Sequence, residues 1–177
     1  MNKQKIILFD GPDKVGKSSI AKELSKVLDI PYFKFTKHDY WAKKEYELAT
    51  KFDQPFLAEL LRMTGYSLII DRGYPSEYAY APVFDRELDE KLILDLDDMF
   101  SKLNTTIVIC TKGNIVEHDE KAPIEKQDKL IERYKDFYNN TKCNKIYLET
   151  SLVDLDKQIK TITERLSEIY SEQDKEG

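Results

Sequence analysis

The sequence contains few of the residues that build disulfide frameworks and zinc sites. Its 177 residues include only 2 cysteines and 2 histidines. These four residues, Cys110, Cys143, His38 and His118, are scattered singly along the chain. Disulfide scaffolds and zinc sites need closely spaced sets of such side chains, so we expect neither. Cys110 ends an apolar run and is expected to be a buried thiol.

Long apolar segments and excess positive charge are also missing. No hydrophobic run approaches the ~20 residues of a membrane span, and the N-terminus lacks the features of a secretory signal, so we expect a cytoplasmic protein without a membrane partner. The 28 basic and 33 acidic residues give a net charge of −5. Such a protein gains little from counterion release on DNA, which makes a nucleic-acid partner possible but less favoured.

What the chain does contain is a regular alternation of short apolar runs and amphipathic patterns. Strands are predicted at 5–10, 32–36, 67–71, 105–111 and 145–149, and helices at 17–28, 40–51, 55–63, 76–84, 87–103, 121–140 and 152–170. Continuous apolar strands are typical of parallel sheets that are covered on both faces. The alternation therefore predicts one α/β domain over residues 1–170, with a doubly wound sheet of about five parallel strands and helices on both faces. The polar residues 171–177 are expected to form a frayed tail.

The first predicted strand leads into the strongest functional signal. Residues 11–18, with the sequence GPDKVGKS, match the phosphate-binding pattern G-x-x-x-x-G-K-[ST]. Because a strand precedes this turn and a helix follows it, backbone N–H groups and the helix dipole converge where a phosphate would bind. The pattern predicts a site for ATP, with Lys17 on the β- and γ-phosphates and the Ser18 hydroxyl on Mg²⁺. The other residues predicted to contact ATP are Gly11, Lys14, Val15, Gly16 and Ser19.

The end of the third predicted strand supplies a second signal. The apolar run 68–70 ends in Asp71, which Arg72 follows. Ligands of doubly wound sheets bind at the carboxyl ends of the strands, so Asp71 is predicted to lie beside the Mg²⁺ that Ser18 holds. The alternative is a strand-end carboxylate that only caps a turn.

Two stretches together resemble the thymidylate kinase family. Residues 71–80, DRGYPSEYAY, resemble its signature D-R-Y-x-x-S-x-x-A-Y, and residues 10–19, DGPDKVGKSS, resemble E-G-x-D-x-x-G-K-[ST]-[ST]. Residues 128–134 resemble the helix that follows the lid of that family. The resemblance implies a P-loop kinase that uses Mg²⁺ and ATP to phosphorylate a deoxynucleoside monophosphate. It also implies a possible homodimer, because the family is commonly dimeric.

The resemblance assigns roles on the acceptor side of the site. It implies that Asp13 contacts the sugar 3′-hydroxyl, that Arg72 clamps the acceptor phosphate, and that Tyr80 lies under the sugar and disfavours a ribose 2′-hydroxyl. Simple packing is the alternative for Tyr80. Ser76 and Glu77 belong to the same signature and are assigned to substrate binding. Phe56 and Arg62 resemble a family helix near the base and phosphate, with burial of an amphipathic face as the alternative.

Lys14 is the predicted source of positive charge on the transferred phosphoryl group. The family supplies this charge from an arginine in the P-loop or from arginines in the lid, and the lid expected at about 113–124 contains no arginine. The resemblance therefore places Lys14 in the catalytic set with Lys17, Asp71 and Arg72. A solvent-facing Lys14 is the alternative, and a lid residue remains another source of charge.

Three departures from the family pattern put thymine in doubt as the base. Gly73 replaces the usual tyrosine, Glu77 replaces a small or amide residue, and the segment between Arg62 and Asp71 is too short for the usual long helix. A carboxylate at position 77 accepts hydrogen bonds from an amino or hydroxymethyl group better than it accommodates a carbonyl.

Two other functions stay open on sequence grounds. One is a kinase that phosphorylates a hydroxyl on a nucleic acid or modified base, because a shortened acceptor region leaves an open site. The other is a non-catalytic nucleotide-binding switch, which is less favoured because the chain lacks the D-x-x-G and N-K-x-D motifs of such switches.

Overall fold

A computed structural model describes residues 4–35, 49–112, 124–150 and 154–176. Its sheet contains the strands β1 (Ile6–Asp10), β2 (Tyr32–Lys34), β3 (Leu68–Asp71), β4 (Thr106–Thr111) and β5 (Asn144–Glu149). They lie in the order β2-β3-β1-β4-β5, and each pair of neighbours is parallel. The predicted five-stranded, doubly wound α/β fold is therefore confirmed.

Helices cover both faces of this sheet. They are α1 (Lys17–Leu28), α2 (Gln54–Thr64), α3 (Tyr74–Val83), α4 (Glu90–Ser101), α5 (Ile124–Asn140) and α6 (Leu155–Glu176). Most of the predicted helix 40–51 lies outside the described residues, and Ala49–Asp53 forms a π-helical segment before α2. Helix α6 continues to Glu176, and the frayed tail expected from residue 171 stays a prediction.

The central strand β1 explains why its sequence is a continuous apolar run. Successive side chains of a strand point to opposite faces. Ile6 and Leu8 belong to a core on the face with α2, α3, α4 and α5, whereas Ile7 and Phe9 belong to a core on the face with α1 and α6. Every residue of β1 is buried, so the strand fixes the position of the loop that follows it.

Cys110 on β4 is buried, as predicted. Burial raises the pKa of its thiol to about 12, so the side chain acts as a small apolar residue of the core. None of the helices in the described ranges is long and apolar enough to cross a membrane.

Candidate active site

The phosphate-binding loop of residues 11–18, the P-loop, joins β1 to α1 at the carboxyl edge of the sheet. Gly11 has φ of 143°, and a Cβ atom at this position would lie 2.0 Å from the Cys110 carbonyl oxygen. Glycine is therefore required because β4 packs directly against the loop. Gly16, the residue before α1, has φ of 84°, a conformation that glycine adopts without the steric cost of a side chain. These two glycines let the loop bend around the space where phosphates bind in such loops.

Lys17 is the buried cation of the P-loop. Its Nζ donates to the Pro12 carbonyl at 2.8 Å and lies 3.9 Å from Asp13 Oδ1. Burial, together with the nearby Arg72 guanidinium, lowers the pKa of Lys17 to about 8. A phosphate beside this side chain would relieve both unfavourable effects, because it supplies hydrogen-bond acceptors and negative charge.

Ser18, at the start of α1, and Asp71, at the end of β3, are in contact. The Ser18 hydroxyl donates to Asp71 Oδ2 at 2.6 Å, and the Tyr32 hydroxyl donates to the same oxygen at 2.7 Å. Lys34 Nζ donates to Ser18 Oγ at 2.9 Å and lies 3.4 Å from Asp71 Oδ2. Burial and the carboxylate of Asp71 raise the pKa of Tyr32, which keeps its hydroxyl protonated as a donor.

The side chains of Ser18 and Asp71 suit Mg²⁺. Asp71 Oδ1 is buried and has no hydrogen-bond partner among the described residues, which leaves one carboxylate oxygen available to a cation. Proteins hold Mg²⁺ with one or two oxygen ligands and fill the remaining positions with substrate phosphates and water. In the described part of the chain, no group of three or more His, Cys, Asp or Glu forms an alternative metal cluster.

Arg72 is held in place by its backbone and by its side chain. It adopts φ of 74°, which is uncommon for a residue with a side chain and often marks a functional position. Its N–H donates to the Phe9 carbonyl at 2.8 Å, and its guanidinium donates to Ser76 Oγ at 3.1 Å and to Asp13 Oδ1. The guanidinium also lies 5.7 Å from the ring centre of Tyr80.

Asp13 connects the two buried cations. Its Oδ1 accepts a hydrogen bond from Arg72 and lies 3.9 Å from Lys17 Nζ, and its Oδ2 accepts from the Tyr80 hydroxyl at 3.4 Å. The structure therefore brings together the P-loop lysine and four of the seven residues predicted for the acceptor side, which are Asp13, Arg72, Ser76 and Tyr80.

Asp10 organises this site and was not among the predicted site residues. Its buried carboxylate accepts hydrogen bonds from the backbone N–H groups of Gly11, Gly73 and Ser76, and from the Ser76 and Tyr134 hydroxyls, at 2.6–3.0 Å. Burial is the main cause that raises the pKa of this carboxyl group. The Asp10 side chain thus connects the P-loop to the start of α3 and to α5. Two signals were available in the sequence: its position at the junction of β1 and the P-loop, and its match to the acidic first position of the P-loop stretch of the thymidylate kinase family.

Glu77 borders a cavity of about 550 Å³. Glu77 is buried, and its Oε1 accepts a hydrogen bond from Arg86 at 2.6 Å. The cavity is lined by Thr50, Glu77, Asp85, Arg86, Glu87, Leu88, Asp89, Glu90, Leu92 and Ile93. Among these residues acidic side chains outnumber the single basic one, so the cavity favours groups that donate hydrogen bonds.

Three of the predicted residues lie at exposed positions. Phe56 is 70% exposed, so the alternative that it packs in the core is wrong, and its role in base binding stays a prediction. Arg62 pairs with Glu59 on the same helix at 2.8 Å. Lys14 is exposed with φ of 60°, and most of the predicted lid lies outside the described residues. Of the remaining P-loop residues, Val15 is buried and Ser19 is exposed.

Packing explains why glycine stands at position 73, where the family signature has tyrosine. A Cβ atom here would lie 2.8 Å from Leu8 Cδ1 and 3.4 Å from Gln54 Oε1. Gln54 is buried at the start of α2, and only residues 65–67 separate α2 from β3. Gln54 at the start of α2 therefore lies beside Gly73 and, with Leu8, leaves no room for a side chain at position 73.

Solved structures with similar folds are nucleotide-binding proteins and kinases. The YorR protein from Bacillus subtilis, in complex with phosphorylated GDP, is 25% identical, with a TM-score of 0.72 over 94% of this chain and 98% of that chain. A deoxyadenosine kinase from M. mycoides with bound dATP is 20% identical, with a TM-score of 0.62 over 93% of this chain and 100% of that chain. Thymidylate kinase from Candida albicans is 15% identical, with a TM-score of 0.59 over 93% of this chain and 92% of that chain.

The chain has the fold of the P-loop kinases. No protein-family model and no curated protein sequence matches it. The thymidylate kinase-like fold that the motifs predicted is confirmed, and the predicted phosphotransferase activity belongs to the proposal below.

Proposed function

We propose that the protein transfers the γ-phosphoryl group of ATP to the phosphate of a deoxynucleoside monophosphate. The observation that carries this proposal is the contact of Asp13 with both Lys17 and Arg72. A P-loop lysine binds the phosphates of the donor, and an arginine fork suits the phosphate of an acceptor. Two cations beside one carboxylate would hold two phosphates close together.

The chain would accelerate transfer by positioning and by charge, without a covalent intermediate. Lys17 and the P-loop N–H groups would hold the donor phosphates, and Arg72 would orient the acceptor phosphate. Ser18 and Asp71 would hold Mg²⁺, which neutralises charge on the donor phosphates when it is bound. Lys14, on the exposed side of the P-loop, would neutralise charge on the phosphoryl group in transit.

We propose that the acceptor base carries an amino group. Ser76 contacts Arg72, the residue that would bind the acceptor phosphate. Glu77 is the next residue along the chain, so the cavity that it borders starts close to that phosphate. A buried carboxylate accepts hydrogen bonds from amino groups and disfavours a carbonyl oxygen at the same place. The guanine of the nucleotide bound to YorR and the adenine of the dATP bound to deoxyadenosine kinase both carry amino groups, which supports this choice.

A panel of acceptors tests the proposed function. The purified protein is incubated with Mg²⁺–ATP and each common deoxy- and ribonucleoside monophosphate, hydroxymethylated pyrimidine nucleotides, and duplex DNA carrying them, and the products are separated by chromatography. We expect ADP and a diphosphate from one or a few deoxynucleotides with an amino-bearing base. Label that enters DNA instead of any monomer would support the nucleic-acid kinase.

Glu77→Gln is expected to change the choice of base. The amide presents a donor where the carboxylate offered only acceptors, so kcat/KM for the preferred amino-bearing acceptor should fall by about 10–100-fold relative to thymidylate. The Glu77–Arg86 ion pair is also broken, but a loss of folded protein lowers both rates equally and leaves their ratio unchanged. Glu164→Gln, on the exposed side of α6, is the control. An unchanged ratio in Glu77→Gln would remove Glu77 from base selection.

Substitutions at Tyr80 distinguish a role in sugar recognition from a role in packing. Its ring stacks on Phe84 with centres 5.7 Å apart and meets the Tyr134 ring edge to face, while its hydroxyl reaches Asp13. Tyr80→Ala opens space beside Asp13 and should reduce the preference for deoxyribose over ribose in kcat/KM by about tenfold or more. Tyr80→Phe keeps the ring and should retain most of that preference. Equal sugar preference in wild type and Tyr80→Ala would assign Tyr80 to packing alone.

A further inference from the structure

Lys34 places its ammonium against the two side chains that would hold the metal. The strand register pairs Lys34 with Asp71 across β2 and β3. Its ammonium lies 2.9 Å from Ser18 Oγ and 3.4 Å from Asp71 Oδ2. These are the side chains of the two residues that would bind Mg²⁺. Neither the P-loop pattern nor the resemblance marked Lys34.

An ammonium and a divalent cation compete here, because both would contact Ser18 Oγ. Mg²⁺ coordinates oxygen at about 2.0–2.1 Å, so a metal bound to Ser18 and Asp71 would lie within a few ångströms of the ammonium and would repel it. The Asp71 side chain is 0% exposed, and a buried carboxylate without a nearby cation is unfavourable. Lys34 therefore satisfies the charge of Asp71 whenever the metal is absent.

We propose that Lys34 is an internal counter-ion that holds the metal ligands in the nucleotide-free protein and is displaced when Mg²⁺ binds. The inference rests on the proposed metal site at Ser18 and Asp71. The side chain of Lys34 is 33% exposed, so its ammonium can move toward solvent without opening the core. Tyr32 donates to Asp71 Oδ2 from the same strand and would keep the carboxylate oriented after Lys34 leaves.

This arrangement makes metal binding depend on the nucleotide. A free divalent cation must displace Lys34 with only one carboxylate to compensate for the repulsion. A cation that arrives with nucleotide phosphates brings additional negative ligands, which favour the displaced position of Lys34. Lys34 is thus a positioning residue that prevents metal from occupying the site before the nucleotide binds.

Binding of Mn²⁺ to the nucleotide-free protein tests this role. Free Mn²⁺ is measured by electron paramagnetic resonance during titration of wild type, Lys34→Met, Lys34→Arg and Asp71→Asn. Lys34→Met removes the competing charge at nearly constant length and should bind Mn²⁺ at least about tenfold more tightly than wild type. Lys34→Arg retains the charge and should restore weak binding. Lys26→Met changes an exposed lysine of α1 and should match wild type.

Thermal unfolding in chelator and in millimolar Mg²⁺ gives a second readout without nucleotide. Lys34→Met should unfold at a lower temperature than wild type in chelator, because Asp71 loses its counter-ion, and Mg²⁺ should restore more of its stability than it adds to wild type. Asp71→Asn tests the metal site itself and should weaken Mn²⁺ binding to the protein with bound ADP. If it does so, but Lys34→Met resembles wild type in both assays, the counter-ion role is overturned while the metal site stands. If Asp71→Asn also leaves metal binding unchanged, both the site and the inference are overturned.

Discussion

Lys17→Ala is expected to lower the rate of phosphoryl transfer by at least about a thousandfold. Alanine removes the buried ammonium that would contact the donor phosphates, and no other lysine of the P-loop is buried. Lys26→Ala, on the exposed last turn of the same helix, is the matched control and should keep the wild-type rate. Initial rates at saturating ATP and acceptor check both variants.

The fold should survive loss of Lys17. Burial and Arg72 lower the pKa of this lysine to about 8 from its ordinary 10.5, so the folded protein holds the proton less tightly than the unfolded chain does. The charge therefore opposes folding at neutral pH, and this opposition fades as the pH rises from about 8 to 10.5. Alanine should keep or raise the unfolding midpoint at pH 7. A transfer rate within tenfold of wild type would remove Lys17 from the donor site.

Asp10→Ala is expected to reduce the free energy of unfolding by about 3–5 kcal/mol. The substitution leaves the buried N–H groups of Gly11 and Gly73 without their acceptor, and each such loss costs about 1–3 kcal/mol. The Ser76 N–H loses one of its two acceptors and keeps the Gly73 carbonyl at 3.0 Å. Because the same carboxylate aligns the P-loop with the start of α3, phosphoryl transfer should fall as well. Chemical denaturation measures the stability, and Asp95→Asn on the exposed face of α4 is the control.

A graded series separates the network of Asp10 from general damage to the core. Tyr134→Phe removes one hydroxyl bond to Asp10 and should cost about 1 kcal/mol. Asp10→Asn retains one acceptor oxygen and turns the other into a donor that faces Gly11 N–H. Its free energy of unfolding should therefore lie between those of Tyr134→Phe and Asp10→Ala. Near-wild-type stability of Asp10→Ala would contradict the organising role of this carboxylate.

The sequence predicted the parts of the site that follow one another along the chain. The apolar run 6–9, the glycines of the P-loop and the helix from Lys17 form one continuous pattern, and α1 begins and ends where that pattern predicted. Asp71 could be predicted because it ends an apolar strand, and parallel strands bring their carboxyl ends to one edge of the sheet.

Contacts between distant segments could not be predicted in the same way. Asp10 and Tyr134 are 124 positions apart, and each belongs to an unexceptional local pattern. Lys34 reaches Ser18 only because β2 lies beside β3 in the sheet order, which local periodicity does not specify. The same holds for Arg86, which pairs with Glu77 through a turn after α3. Such pairs depend on packing, which a single sequence does not encode in its short motifs.

The most direct test of the central claim is to locate the transferred phosphorus by ³¹P nuclear magnetic resonance. Wild type, Lys17→Ala and Arg72→Ala are incubated with Mg²⁺–ATP and the preferred deoxynucleoside monophosphate. We expect wild type to form ADP and deoxynucleoside diphosphate in equal amounts, with the transferred phosphorus as the β-phosphate, and both variants to form neither. ATP hydrolysis without a diphosphate product, or a new phosphate on a sugar hydroxyl instead of the acceptor phosphate, would contradict the account.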